Sequence, residues 1–153
     1  FGSDWKEVMN ILTHRTSAQR LQIKESYTKL YNKSIIERTK SEFSGQLEIL
    51  AVALEHVGPD MDAYFIRKSI KGVGTDDFAL INILCTRSGP QITAIKESYQ
   101  RLYGKPLLND VKSDTSGNYG DLLCHLINTP REDLKATDPV MAEKHAHDIY
   151  SNN

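Results

Sequence analysis

The segment Ile70-Lys71-Gly72-Val73-Gly74-Thr75 carries residue types from which a cation site can be built. Glycines at 72 and 74 permit backbone angles closed to other residues and leave nearby carbonyl oxygens uncovered. Turned outward, the carbonyls of Ile70, Gly72 and Gly74 are hard, neutral oxygen ligands. Calcium takes about 6–8 oxygens, accepts waters among them, and wants at least one carboxylate. The loop supplies no carboxylate at the right place. Asp114 lies 40 residues beyond Gly74, and a helical unit that folds back can set it beside the loop. The spacing recurs, because Glu42 lies 40 residues beyond Gly2. A glycine loop of this kind also ends helices or cradles phosphate, and a lone aspartate also serves as a cap or a solvated charge. Repetition of the pair at one spacing is what motivates the cation reading.

Other chemistry finds less support. Lys71-Gly72-Val73-Gly74-Thr75-Asp76 lacks the Lys-Ser/Thr of a phosphate-binding P-loop, and the third glycine of a dinucleotide fingerprint is missing. There is no HExxH and no nucleophile beside a base, so the chain reads as a non-enzyme. His145 and His147 are two apart and do not share a helical face, which disfavours zinc. Cys85 and Cys124 sit in apolar runs and are expected to be buried, unreactive free thiols, as suits a reducing compartment.

These residues are positioned by a repeat. An offset of 72 sets Gly2 on Gly74, and about 21 of the 56 ungapped pairs up to Val57 are identical. Gln19–Lys33 falls on Gln91–Lys105, and the first copy's KSEFSG on KSDTSG. Self-similarity at this period means two copies of one supersecondary unit. The unit reads as helices. Leu80, Ile81, Ile83 and Leu84 mark one face of a helix capped by Thr75 or Asp76. Pro90 opens a second helix with Ile92, Ile95, Tyr99 and Leu102 as its stripe, and Gly104 closes it. A third spans 105–112, and a fourth begins after Thr115 or Ser116 and stops before Pro130. A helix over Met61–Ile70 precedes the glycine loop of the second copy; the first copy starts at Phe1-Gly2, part-way through its loop. No stretch alternates with period two. The expectation is an all-α fold of helical repeats, four to five helices per repeat and about nine in the chain. The first repeat spans 1–57 and lacks its opening helix. The second, 58–130, is complete, and 131–153 is a linker with the opening helix of a third. That last helix is a candidate cover for the face the missing first helix leaves bare.

Composition sets the outer limits. The 153 residues carry 19 Lys+Arg against 20 Asp+Glu, a net charge of −1. Such balance excludes a dominant electrostatic attraction to nucleic acid or to a bare anionic membrane. Hydrophobic residues at 39 % are too many for a disordered chain. No apolar run approaches the roughly 20 residues of a membrane span, and no signal peptide is evident.

Lys71-Gly72-Val73-Gly74-Thr75-Asp76-Asp77, running through Leu80, Ile83 and Leu84 to Arg87, resembles the signature of the annexin repeat. Lys112-Ser113-Asp114-Thr115-Ser116-Gly117 is similar to the segment that supplies that repeat's distant acidic ligand. Asp62-Ala63-Tyr64 resembles the opening of the family's second repeat, and Ala142, Ala146 and Ile149-Tyr150 the opening of its third. The likeness covers nearly the whole chain and matches the N-terminal half of a four-repeat annexin, trimmed at both ends. It implies calcium-dependent binding to acidic phospholipid membranes by a cytoplasmic protein that associates peripherally when calcium rises. It implies a principal calcium site of Ile70, Gly72, Gly74 and Asp114, with water and a lipid phosphate oxygen completing the shell. A minor site would use the Thr75 carbonyl with Asp77.

Departures from the family pattern matter. Trp5 stands where Asp77 does, so the first copy should lack the minor site. Gly2 and Glu42 remain, and that site is expected to be vestigial. Phe65 stands where the family often places an acid near its central hydrophilic channel, and His145 replaces the usual aspartate before Ala146; both weaken any channel reading. Val73 and Phe1 occupy corresponding loop tips and are candidates for dipping into lipid; Lys71 is a candidate partner for a headgroup. Each is also readable as an ordinary solvated side chain. Self-association on a membrane is open to such a protein. The competing reading is a helical protein-interaction or cytoskeleton-associated scaffold with little membrane binding.

Overall fold

The computed structural model describes residues 4–71, 74–131 and 137–152. Among them are ten helices, one more than the expected count. The first four are α1 (Trp5–Thr13), α2 (Ser17–Tyr31), α3 (Ile35–Glu42) and α4 (Gly45–Glu55). Then come α5 (Pro59–Ile70), α6 (Asp77–Thr86), α7 (Gly89–Tyr103), α8 (Leu107–Asp114), α9 (Gly117–Asn128) and α10 (Pro139–Ser151).

Local signals place the ends of these helices. Thr16 caps α2 while Gln19 reaches back 3.0 Å to the Thr16 amide. The Ser88 amide likewise donates to Gln91 Oε1 at 2.9 Å before α7. Both long helices end in a left-handed residue, Asn32 at φ +50° and Gly104 at φ +69°. The helix expected over 105–112 begins later and runs to Asp114, because Pro106 supplies the extended residue before it.

The main core lies among α5–α9. Ala63, Ile66 and Ile70 of α5 pack on Ile92, Ile95 and Tyr99 of α7, with Leu80 and Leu84 of α6 and Leu123 of α9 closing around them. At about 1.5–3 kcal/mol per buried large apolar side chain, this cluster dominates the fold's favourable energy. The corresponding α2 has no buried residue. Ile81 is exposed, contrary to expectation, since a residue one position from Leu80 turns 100° away. Cys85 is exposed and Cys124 half-buried, so the expectation of two buried thiols fails for the same reason. The cover proposed for the bare face also fails: every described residue from 137 to 152, α10 included, is exposed.

Charged groups fasten the helices. Arg87 clasps Asp62 through two bonds, Nε to Oδ2 at 2.7 Å and Nη2 to Oδ1 at 2.9 Å. Arg67 on α5 pairs with Asp110 on α8, which also accepts the Tyr99 hydroxyl at 2.8 Å. Arg131, beyond α9, reaches back to the carbonyls of Leu84, Cys85 and Arg87 at the end of α6. Arg20 does the same for α1, donating to the carbonyls of Leu12 at 3.2 Å and Arg15 at 2.7 Å.

Candidate calcium site

The site is built where α5 stops and α6 starts. Asp76 caps α6 by accepting from the Ala79 amide at 3.1 Å. Its own amide donates 2.9 Å back to the Ser69 carbonyl, one residue before the end of α5. This bond closes the loop at its neck. Gly74 holds φ +87°, where a side chain would be strained. Among the described residues no backbone amide donates to the Ile70 carbonyl. Gly72 and Val73 lie outside the described residues.

Asp114 arrives from the other side, as the last residue of α8. The Thr75 hydroxyl donates to its Oδ2 at 3.0 Å across 39 positions of sequence. The α8–α9 turn that carries Asp114 is tight. A Cβ on Gly120 would lie 2.9 Å from Thr115 Oγ1 and 3.0 Å from its carbonyl carbon, so only glycine lets α9 approach there. Thr115 is itself anchored to the Val111 carbonyl through its amide at 3.0 Å and its hydroxyl at 2.8 Å.

Asp77 begins α6 and is exposed. Near it lies the buried Tyr119 hydroxyl, which does not reach full hydrogen-bond geometry. Burial first, and the Asp77 carboxylate second, push that hydroxyl up to about 12. Lys71 is exposed at the loop's entry.

The first copy differs. Gly2 and Phe1 lie outside the described residues. Glu42 makes an ion pair of 2.7 Å with Arg38, one turn earlier on α3. Trp5, at the Asp77 position, is 48 % exposed with Lys6 Nζ 5.8 Å above its ring.

Ser69, Tyr119, Gly120 and the Thr75 hydroxyl escaped the sequence reading. Only Gly120 carried a signal, as a lone glycine inside a helical pattern. Among the described residues, no cluster of three or more His, Cys, Asp or Glu side chains is placed to hold a metal. What the loop offers is backbone carbonyl oxygen joined by one carboxylate. That donor set is hard and oxygen-only, of the kind calcium takes and zinc does not favour.

A paired glycine loop and distant acid on stacked all-α repeats define an annexin-type unit. The annexin family model matches residues 1–54 and 61–126, and the chain belongs to that family. Annexin A13 of Mus musculus is 43 % identical over 149 residues, covering 97 % of this chain and 47 % of the relative. The solved structure of annexin III superposes with a TM-score of 0.89 at 37 % identity, covering 98 % of this chain and 47 % of that one. A calcium-bound annexin (Sm)1 superposes at 0.77 with 26 % identity, over 99 % of this chain and 50 % of that one. This chain thus spans about half the length of the relatives it matches.

Proposed function

We propose that this chain is a calcium-dependent module for acidic phospholipid surfaces and not an enzyme, with its principal site in the second repeat. The observation that carries the reading is the meeting of the glycine loop with Asp114 through the Thr75 hydroxyl. Family membership and the calcium-bound annexin (Sm)1 support it. We read 1–57 and 58–130 as two repeats and 131–153 as a linker with the opening helix of a third. The Ile70, Gly72 and Gly74 carbonyls and the Asp114 carboxylate hold the ion; the Thr75 carbonyl with Asp77 forms the minor site. When bound, calcium supplies the positive bridge to a lipid phosphate oxygen.

This chain's residues do the rest. Gly74 holds a left-handed turn at the end of the loop, and the Ser69–Asp76 bond holds its neck shut. Asp114 supplies one negative charge, so affinity without lipid falls at the weak end, about 10⁻⁴–10⁻³ M. Lipid that completes the shell raises metal affinity by the same factor by which metal raises lipid affinity. Lys71 faces a headgroup, and Val73 and Phe1 enter the lipid interface. Glu42, held by Arg38, contributes only a vestigial site with Gly2. No helix among the described residues is long and apolar enough to cross a membrane; we read the attachment as peripheral, by a cytoplasmic protein when calcium rises. Nucleic acid is not a partner on a net charge of −1.

Co-sedimentation with phosphatidylserine vesicles, in calcium and in chelator, tests the proposal. Calcium-dependent pelleting should be lost in Asp114→Ala. Pelleting that persists in the variant would move the site elsewhere, with Glu42 the first alternative. Absence of pelleting at millimolar calcium would leave the scaffold reading.

A further inference from the structure

The junction between the two repeats holds a cleft of about 800 Å³, walled by α3, α4, α5 and α7. The face that α5 turns to it carries Tyr64, Lys68 and Lys71, at helical spacing. Lys68 therefore sits about 6 Å along the axis from Tyr64. Lys71, a turn further, stands at the entry to the glycine loop. Lys40 of α3 borders the cleft from the other wall. Lys40 and Lys68 are both exposed, and neither forms an ion pair among the described residues. Arg67 also reaches the cleft, but Asp110 holds its guanidinium.

Around Tyr64 the character changes. Glu48 of α4 is half-buried in the cleft wall, and among the described residues its carboxylate has no ion pair. Burial first, and Glu48 second, raise the Tyr64 hydroxyl, which places that carboxylate near the ring. An offset of 72 sets Glu48 on Gly120, so the repeat's own packing does not call for an acid there. On its other side Tyr64 stacks on His56, ring centroids 5.1 Å apart. His56 is 6 % exposed, lines the cleft, and has an Nδ1 without a hydrogen-bond partner. A buried polar atom left in that state is costly until something pairs with it. Glu37 borders the cleft as well. Free lysines thus stand against two carboxylates, too even a balance for a polyphosphate and a match for a ligand that carries both signs.

We propose that this cleft binds a small phosphoamine, a phosphate joined through two carbons to a primary ammonium. Lys40 and Lys68 hold the phosphate oxygens. The ammonium donates to the Glu48 carboxylate and to the lone pair of the neutral His56 Nδ1. A free metabolite and a lipid headgroup both offer this chemistry. Binding needs no calcium and rests on no part of the membrane reading.

Titration calorimetry of the full chain in chelator, with O-phosphoethanolamine as the probe, tests this. The expected result is saturable binding, with inorganic phosphate and ethanolamine each roughly tenfold weaker or worse. Glu48→Gln keeps the side chain's size and should weaken the probe roughly tenfold without weakening inorganic phosphate. Lys68→Ala should weaken both roughly fivefold; Lys68 is exposed, so folding is not at risk. Vesicles of equal phosphatidylcholine and phosphatidylethanolamine, also in chelator, separate the sources. Pelleting that Glu48→Gln reduces assigns a lipid headgroup, and soluble binding without pelleting assigns a free phosphoamine. No saturable binding of the probe overturns the proposal. So does equal affinity for inorganic phosphate, or binding that neither substitution weakens.

Discussion

The two copies of the unit share about 21 of 56 aligned residues yet hold themselves together differently. In the second, Tyr99 is fully buried and its hydroxyl meets Asp110, which also takes Arg67 from the opening helix α5. In the first, Tyr27 is only half-buried, and Arg38 stands at the Asp110 position. Arg38 pairs instead with Glu42, one turn along α3. Likewise Arg87 clasps Asp62 on α5, whereas its counterpart Arg15 donates, among the described residues, to the carbonyl of His14 at 3.3 Å. Among the described residues α2 packs on α3 and α4, whereas α7 packs on α5 as well as on α8. A repeat's chemistry depends on the neighbour that covers it.

The largest expected effect sets the two tyrosines against each other. Tyr99→Ala should cost about 4 kcal/mol in urea denaturation and Tyr27→Ala about 1. Equal costs would mean the two repeats are equally packed in solution. Next, Asp110→Ala leaves Arg67 and the Tyr99 hydroxyl without their acceptor and should cost about 2 kcal/mol.

The junction between the repeats gives a pH test. His56 is buried and stacked on Tyr64 with ring centroids 5.1 Å apart. Burial first, then Lys24, lowers it from 6.5 to about 4, with Lys40 and Arg101 adding to the effect and Asp60 opposing it. Between those values the unfolded chain binds the proton and the folded one does not. Stability therefore falls as pH drops from 6.5 toward 4, by on the order of 2 kcal/mol. His56→Gln should flatten that fall in a thermal-melt series. Glu55 beside it acts in the opposite sense. Burial raises its carboxyl, so its contribution is present at low pH and lost as pH climbs through the raised value. The smallest effect is at the Arg38–Glu42 pair, whose arginine is exposed, so Arg38→Ala should change stability by less than about 0.5 kcal/mol.

Much of this was legible in the sequence. The doubled motif at one offset announced helical repeats, and Gly104, Pro90 and Asp76 marked helix ends through local backbone chemistry alone. The pairing of Asp114 with the glycine loop was inferred from spacing, and the Thr75 hydroxyl brings the two together. What stayed hidden depends on the third dimension. A neighbouring position such as Ile81 or Cys85 looks apolar in a run, but one residue's rotation takes it to solvent. The Ser69 carbonyl and the Tyr119 hydroxyl become part of the site only through backbone closure and helix approach. That α10 buries nothing could not be read from its own amphipathic pattern either.

Arg131 has a mechanical meaning. Its guanidinium hooks the last carbonyls of α6, the helix whose first residues leave the glycine loop. The chain leaving α9 is thus tied to the end of α6 as well as to α9 itself. A ten-residue helix is a stiff rod of about 15 Å. That rod joins the Arg131 clamp at one end to Asp76 and the glycine loop at the other.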